Sequence, residues 1–125
     1  MVTDTEEAGE ELTDRDRLRW CLENLGVRNT AVALRELSAI GVQAWAEETV
    51  DVPDEVKPRL SVLHQAGSVV TEAYGPETAR AFLRSSSPYL GDIAPIMLIR
   101  GSETETELEP RVQEQIAGAV DFFLE

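Results

Sequence analysis

Cysteine, lysine and histidine each occur once in this chain, and each scarcity closes a line of chemistry. With Cys21 alone, no intrachain disulfide and no cysteine-based zinc site can form. Cys21 lies in a helical apolar run and reads as a small buried hydrophobe. His64 has no second imidazole to join it in a ligand set or a proton relay, so it reads as a structural or surface histidine. Lys57 is the single lysine among otherwise arginine cations. That bias reads as an adaptation of the whole chain to genome composition or salt, with no site behind it. No apolar run approaches the ~18 residues that a membrane span needs. Residues 1–11, MVTDTEEAGEE, lack an apolar stretch and read as a disordered acidic tail rather than a signal peptide, so a cytoplasmic protein is expected.

Catalytic constellations are missing as well. There is no Ser/His/Asp arrangement with supporting glycine turns, no metal-ligand spacing and no phosphate-binding glycine loop. Ser85-Ser86-Ser87 has neither a glycine nest nor a lysine and reads as a cap for the turn at Pro88. Glu103, Glu105, Glu107 and Glu109 alternate along a loop and read as a solvated face. The expectation is a protein that is not an enzyme and carries no cofactor and no metal.

What the chain has in excess is negative charge. Its 125 residues carry a formal net charge of −13. Such a surface disfavours non-specific phosphate binding, which works by counterion release from Lys and Arg. It suits an electropositive partner. The length fits one domain, or a small helical module docked on another.

In chain order, Thr13 with Asp14 and Asp16 reads as an N-cap followed by acids in a first turn. Leu18, Cys21, Leu22 and Leu25 then fall on one helical face, with Trp20 off that stripe and Gly26 as the stop. Asn29 reads as the cap of a second helix over 30–38, with Val32, Ala33 and Leu37 inward. A third helix is expected over about 40–48, anchored by Val42 and Trp45. Three short helices in this span suggest a helix-turn-helix-type bundle. The candidate recognition helix is poor in base readers: Gln43 is the one side chain suited to a base edge, and Arg28 and Arg35 are the cations suited to a phosphate backbone. Glu47, Glu48 and Asp51 have the wrong sign for DNA.

Residues 50–56 read as a linker, and a long helix is expected from Lys57-Pro58 to Tyr74. It carries two apolar stripes, one through Leu60, Leu63, Gly67, Val70 and Tyr74, the other through Val62, Ala66, Val69 and Ala73. A helix apolar on two sides is expected to be sandwiched between neighbours, with Ala66 and Gly67 admitting close approach. Gly75-Pro76 ends it and opens the next helix, with Phe82 and Leu83 inward. Residues 102–109 read as an acidic loop. A last helix over 108–124 turns Val112, Ile116, Ala119, Val120 and Phe123 inward, while Phe122 and Leu124 fall off that face and leave an apolar tip.

The densest stretch is Ser85–Gly101, SSSPYLGDIAPIMLIRG. Pro88 and Pro95 sit where the first turn of a helix tolerates proline, Gly91 supplies a permissive turn, and Ala94–Arg100 reads as a short apolar helix stopped by Gly101. The ordered set Phe82-Leu83, Pro88-X-Leu90-Gly91, Pro95-X-X-Leu98 and Gly101 resembles the C-terminal toxin-binding domain of the Xre/MbcA/ParS antitoxin family. The resemblance covers about residues 60–125 well and 12–59 loosely. It implies an all-α fold of six to eight helices, with a helix-turn-helix-like bundle over 12–56 packed on a toxin-binding domain over 57–125. It also implies a function, namely neutralisation of a RES-domain-type, NAD-degrading toxin by direct binding. The C-terminal end would block the toxin's active-site cleft. Carried over, Phe122, Phe123, Leu124 and Glu125 would stand at the cleft mouth, with the carboxylates meeting basic groups. Two other classes stay open: a DNA-binding autorepressor using Arg28, Arg35 and Gln43, and a non-catalytic helical adaptor or oligomerisation module. A homodimer is expected, on the reading that Trp45 is an exposed anchor.

Overall fold

The computed structural model describes residues 12–36, 38–47, 50–101 and 110–125. Among the described residues the architecture is all-α, with seven α-helices: α1 (Asp14–Asn24), α2 (Val27–Leu34), α3 (Ala39–Ala46), α4 (Lys57–Tyr74), α5 (Pro76–Arg84), α6 (Pro95–Gly101) and α7 (Pro110–Leu124). A 3-10 turn, Pro88–Leu90, lies between α5 and α6. Among the described residues the only β pairing is an isolated bridge between Ser87 and Ile93.

Helix α1 begins as its sequence dictates. The Thr13 hydroxyl accepts from the Asp16 amide at 3.0 Å, and the Asp16 carboxylate accepts from the Thr13 amide at 3.2 Å, a reciprocal cap. Donation to the carboxylate from the Thr13 amide, and secondarily from the Thr13 side chain, favours its charged form and holds the Asp16 carboxyl below its usual range.

The second helix departs from expectation. It starts at Val27, not after Asn29, and its N-cap is Gly26 at φ 94°. Asn29 lies inside the helix, buried, its amide donating to the Leu25 carbonyl at 2.9 Å. Gly26 ends one helix and begins another in a backbone conformation that a side chain would strain. Leu37, expected inward, falls outside the described residues. Helix α3 is capped by Ser38, whose hydroxyl accepts from the Gly41 amide at 3.0 Å.

Helix α4 is the central element, packing against α5, α1, α7, α2 and α6. Gly67 is where α1 comes closest: a methyl group there would stand 2.9 Å from Leu25 Cδ1. Trp20 closes the same contact by meeting the His64 ring edge-on, with centroids 5.1 Å apart. The first apolar stripe is buried through Val70, but Tyr74 is exposed. The second is covered at Val62 and Ala66 and open at Val69 and Ala73, so α4 is only partly sandwiched. One core, from Leu18, Cys21 and Leu25 through Leu60, Leu63 and Val70 to Leu83, Ile99 and Ile116, runs continuously across residues 56 and 57.

Trp45 is buried at 7% exposure. The reading of it as an exposed anchor is therefore corrected: it packs into the chain's own core and offers no partner surface.

The arginines also acquire a role that composition alone concealed. Arg15 and Arg19 of α1 donate to the Trp45 and Ala46 carbonyls at the end of α3, each at 2.8 Å. Arg80 of α5 donates to the Asn24 carbonyl that ends α1, also at 2.8 Å. Arg59, buried in α4, donates to the Ile99 carbonyl at 3.3 Å. The last four carbonyls of a helix have no partner inside it and carry partial negative charge. Here guanidinium groups from neighbouring helices satisfy several of them, so these arginines tie one helix end to the next.

Candidate protein-binding site

The segment from Ser85 to Gly101 folds as a stapled turn followed by the short helix α6. The Ser87 carbonyl accepts from the Leu90 amide at 3.0 Å and from the Asp92 amide at 2.8 Å, and the Ser87 amide donates to the Ile93 carbonyl at 3.1 Å. Gly91 at φ 69° and Asp92 at φ 67° both occupy the left-handed region, which Gly tolerates freely and Asp better than most residues. Leu90, Pro95, Ile96 and Ile99 are buried, Leu98 is half-buried, and Pro88 and Met97 are exposed. Gly101 is the last residue of α6 rather than the one beyond it.

This turn carries Tyr89 to the outer side of α7. Gly118 makes room for it, since a methyl group at Gly118 would collide with the Tyr89 hydroxyl and ring. Tyr89 then lies beside Phe122, with ring centroids 5.9 Å apart and planes tilted by 32°. On the inner side, Phe123 meets buried Phe82 at 4.8 Å and Tyr74 edge-on at 6.1 Å. Four of these five rings stay open to solvent: Tyr74 at 54%, Phe122 at 52%, Tyr89 at 51% and Phe123 at 40%. Between α7 and the Ser85–Pro88 strand of chain lies a cavity of about 330 Å³, lined on its apolar side by Phe82, Phe122 and Phe123 and on its polar side by Ser85, Ser86 and Ser87.

Two expectations shift here. Phe123 points toward the core direction of α7, but the core ends before it and leaves it partly open. Leu124, expected off the inner face, is half-buried against the core. Glu125 is exposed beside them. The sequence reading singled out Phe122 and Phe123 but missed Tyr74 and Tyr89 as their partners. The signal for Tyr89 was Gly118, a glycine inside a helix where alanine is preferred.

The residues proposed for DNA contact do not form one surface with these rings. Gln43 and Arg28 are exposed on α3 and α2. Arg35, in the left-handed region at φ 63°, caps α2. Its Nε donates to the Arg100 carbonyl at 2.6 Å, which holds it against α6. The exposed face of α3 presents Ala39 and Ile40, the latter 78% exposed, beside Gln43. Among the described residues no group of three or more His, Cys, Asp or Glu could hold a metal ion, and no helix is long and apolar enough to cross a membrane.

No family model, curated protein or solved structure matches the chain.

Proposed function

We propose that this protein acts by binding another protein through the aromatic tip of α7, as an antitoxin-type inhibitor of a RES-domain-type, NAD-degrading toxin. The carrying observation is the group of four half-open rings, Tyr74 at the end of α4, Tyr89 on the Pro88–Leu90 turn, and Phe122 and Phe123 near the end of α7, packed as the pairs Tyr74–Phe123 and Tyr89–Phe122. An aromatic side chain buries 150–250 Å² when fully covered, so covering the open half of one ring is worth roughly 2 kcal/mol. Rings fixed in place lose little freedom on docking and serve as anchors. Asp121 and Glu125 flank them and are exposed, which favours a basic counter-surface. The specific partner class rests on the resemblance of Phe82, Pro88, Leu90, Gly91, Pro95, Leu98 and Gly101 to the antitoxin motif.

The test is co-purification with the product of the adjacent gene, using wild-type protein and a Phe122→Glu variant. A stable complex with suppressed NAD consumption, lost in the variant while its helical content is kept, supports the reading. A neighbour whose activity is unchanged by the wild-type protein removes the antitoxin assignment.

A further inference from the structure

A second uncovered surface lies along α4 and α7, on a different flank of α7 from Phe122. Its floor is Val62, Ala66, Ile116 and Val120, all buried. Its walls are Gln65 and Val69 on α4 and Ala117 on α7, which are exposed. The hollow between them is about 140 Å³. It takes in Val69, one of the positions of the second apolar stripe of α4 that the single chain leaves open.

We propose that this groove receives the same groove of a second copy of the chain, so that α4 and α7 of each protomer form a four-helix interface. Three observations select that occupant. The first is charge. On a chain of net charge −13, the lining holds one ionisable residue, Asp121, at its edge. A surface shaped for a basic partner would present carboxylates, whereas a neutral surface is what two acidic copies can share without placing like charges in contact. The second is shape and chemistry. Val69 on the α4 wall and Ala117 on the α7 wall are small enough to permit close helix approach, and the Gln65 amide both donates and accepts, so it can pair with its own symmetry mate. The third is the chain's own remaining segments. Residues 1–11 and 102–109 hold few apolar residues among acids and lack the helical apolar spacing that a groove of this kind reads.

The interface predicts an unusual salt dependence. Two copies of the same acidic chain repel, and screening relieves that repulsion. Raising salt from about 0.1 to about 1 M shortens the screening length from about 10 to about 3 Å, so dimerisation should tighten by about tenfold or more. Sedimentation equilibrium across a concentration series tests this on the full chain, comparing wild type, Val69→Glu, Ala117→Glu and Phe122→Glu. All three substituted positions are exposed in the single chain, and circular dichroism melts check that folding is kept. A wild-type dimer that strengthens with salt, persists in Phe122→Glu and dissociates by at least about tenfold in Val69→Glu and Ala117→Glu is the expected result. A protein monomeric at every salt concentration overturns the proposal. So does a dimer that weakens with salt, or one broken only at Phe122. If Ala117→Glu instead abolishes toxin capture and leaves self-association untouched, the groove belongs to the partner and the proposal is wrong. Failure of toxin capture by wild type leaves the dimer test unaffected, because sedimentation of the protein alone reads self-association without any toxin present.

Discussion

Arg35 and Arg100 each donate to the end of the helix that the other belongs to. Arg35 Nε donates to the Arg100 carbonyl at 2.6 Å, and Arg100 Nη1 donates to the Val32 carbonyl at 2.8 Å. The ends of α2 and α6 are thus joined by two crossed guanidinium caps, sixty-five residues apart in sequence. Each bond is charge-assisted, and each meets the negative end of a helix dipole.

Removing the partly buried member should cost more. Arg100→Ala is expected to destabilise by about 1.5–3 kcal/mol, and Arg35→Ala, which is exposed, by less than about 1 kcal/mol. Arg100→Lys should recover only part of the loss, because a lysine ammonium cannot reproduce the planar fork. Urea unfolding of the three variants measures this, and equal losses at both positions would contradict it.

Gly67→Ala should destabilise by about 1–3 kcal/mol despite the better helix propensity of alanine. The added methyl would stand 2.9 Å from Leu25 Cδ1, which is itself fully buried. A Leu25→Ala background should remove most of the effect, since the obstructing atom is then gone. Thermal melts of the single and double variants provide the check.

Phe82 and Phe122 are both aromatic residues of the tip, yet they should behave in opposite ways. Phe82→Ala, at 6% exposure, is expected to cost about 3–5 kcal/mol. Phe122→Ala should stay within about 1 kcal/mol of wild type while lowering affinity for the bound partner by tenfold or more. Paired stability and binding titrations would separate a core residue from an anchor.

Burial lowers the His64 pKa from its usual 6.5, and the charge of Arg17 acts in the same direction. The unfolded chain then binds a proton before the folded one does. Stability contributed by neutral His64 is full above 6.5 and is lost as pH falls from there toward the lowered folded-state value. Subtracting the stability–pH curve of His64→Gln from that of wild type should leave a residual that rises with pH across this window. A flat difference would show that the ring stays solvated against Trp20.

Burial pushes the Cys21 thiol up to about 12, leaving almost no thiolate at neutral pH. Alkylation by iodoacetamide should therefore track global unfolding, and a Cys21→Ser variant should be less stable because a polar hydroxyl replaces a packed sulfur. Rapid labelling of the native protein would contradict this packing.

Much of the helical framework was legible in the sequence, because caps and breakers act locally. Thr13, Gly75-Pro76 and the apolar spacing of α4 needed no tertiary information. The start of α2 was not legible. Asn29 has the chemistry of a cap, but its amide turns back to the Leu25 carbonyl from inside the helix, and Gly26, at a positive φ that glycine adopts freely, occupies the N-cap position. The site was half legible. Phe122 and Phe123 stood out as apolar residues at a helix end, whereas Tyr74 and Tyr89 join them only through packing. Trp45 misled because a lone tryptophan on a short helix looks the same whether it faces a core or a partner.

The crossed and borrowed arginine caps bear on how this molecule meets others. Arg15, Arg19, Arg35, Arg59, Arg80 and Arg100 all hold backbone carbonyls, whereas Glu23, Glu72, Glu77, Glu114 and Asp121 face solvent. Within one screening length of the surface, about 8 Å at physiological salt, a diffusing molecule therefore senses carboxylates whose compensating cations are tethered to helix ends. Charge of this sign favours early encounters with basic molecules over phosphate-bearing ones. The groups that keep the helices together thereby also sort the traffic of early encounters.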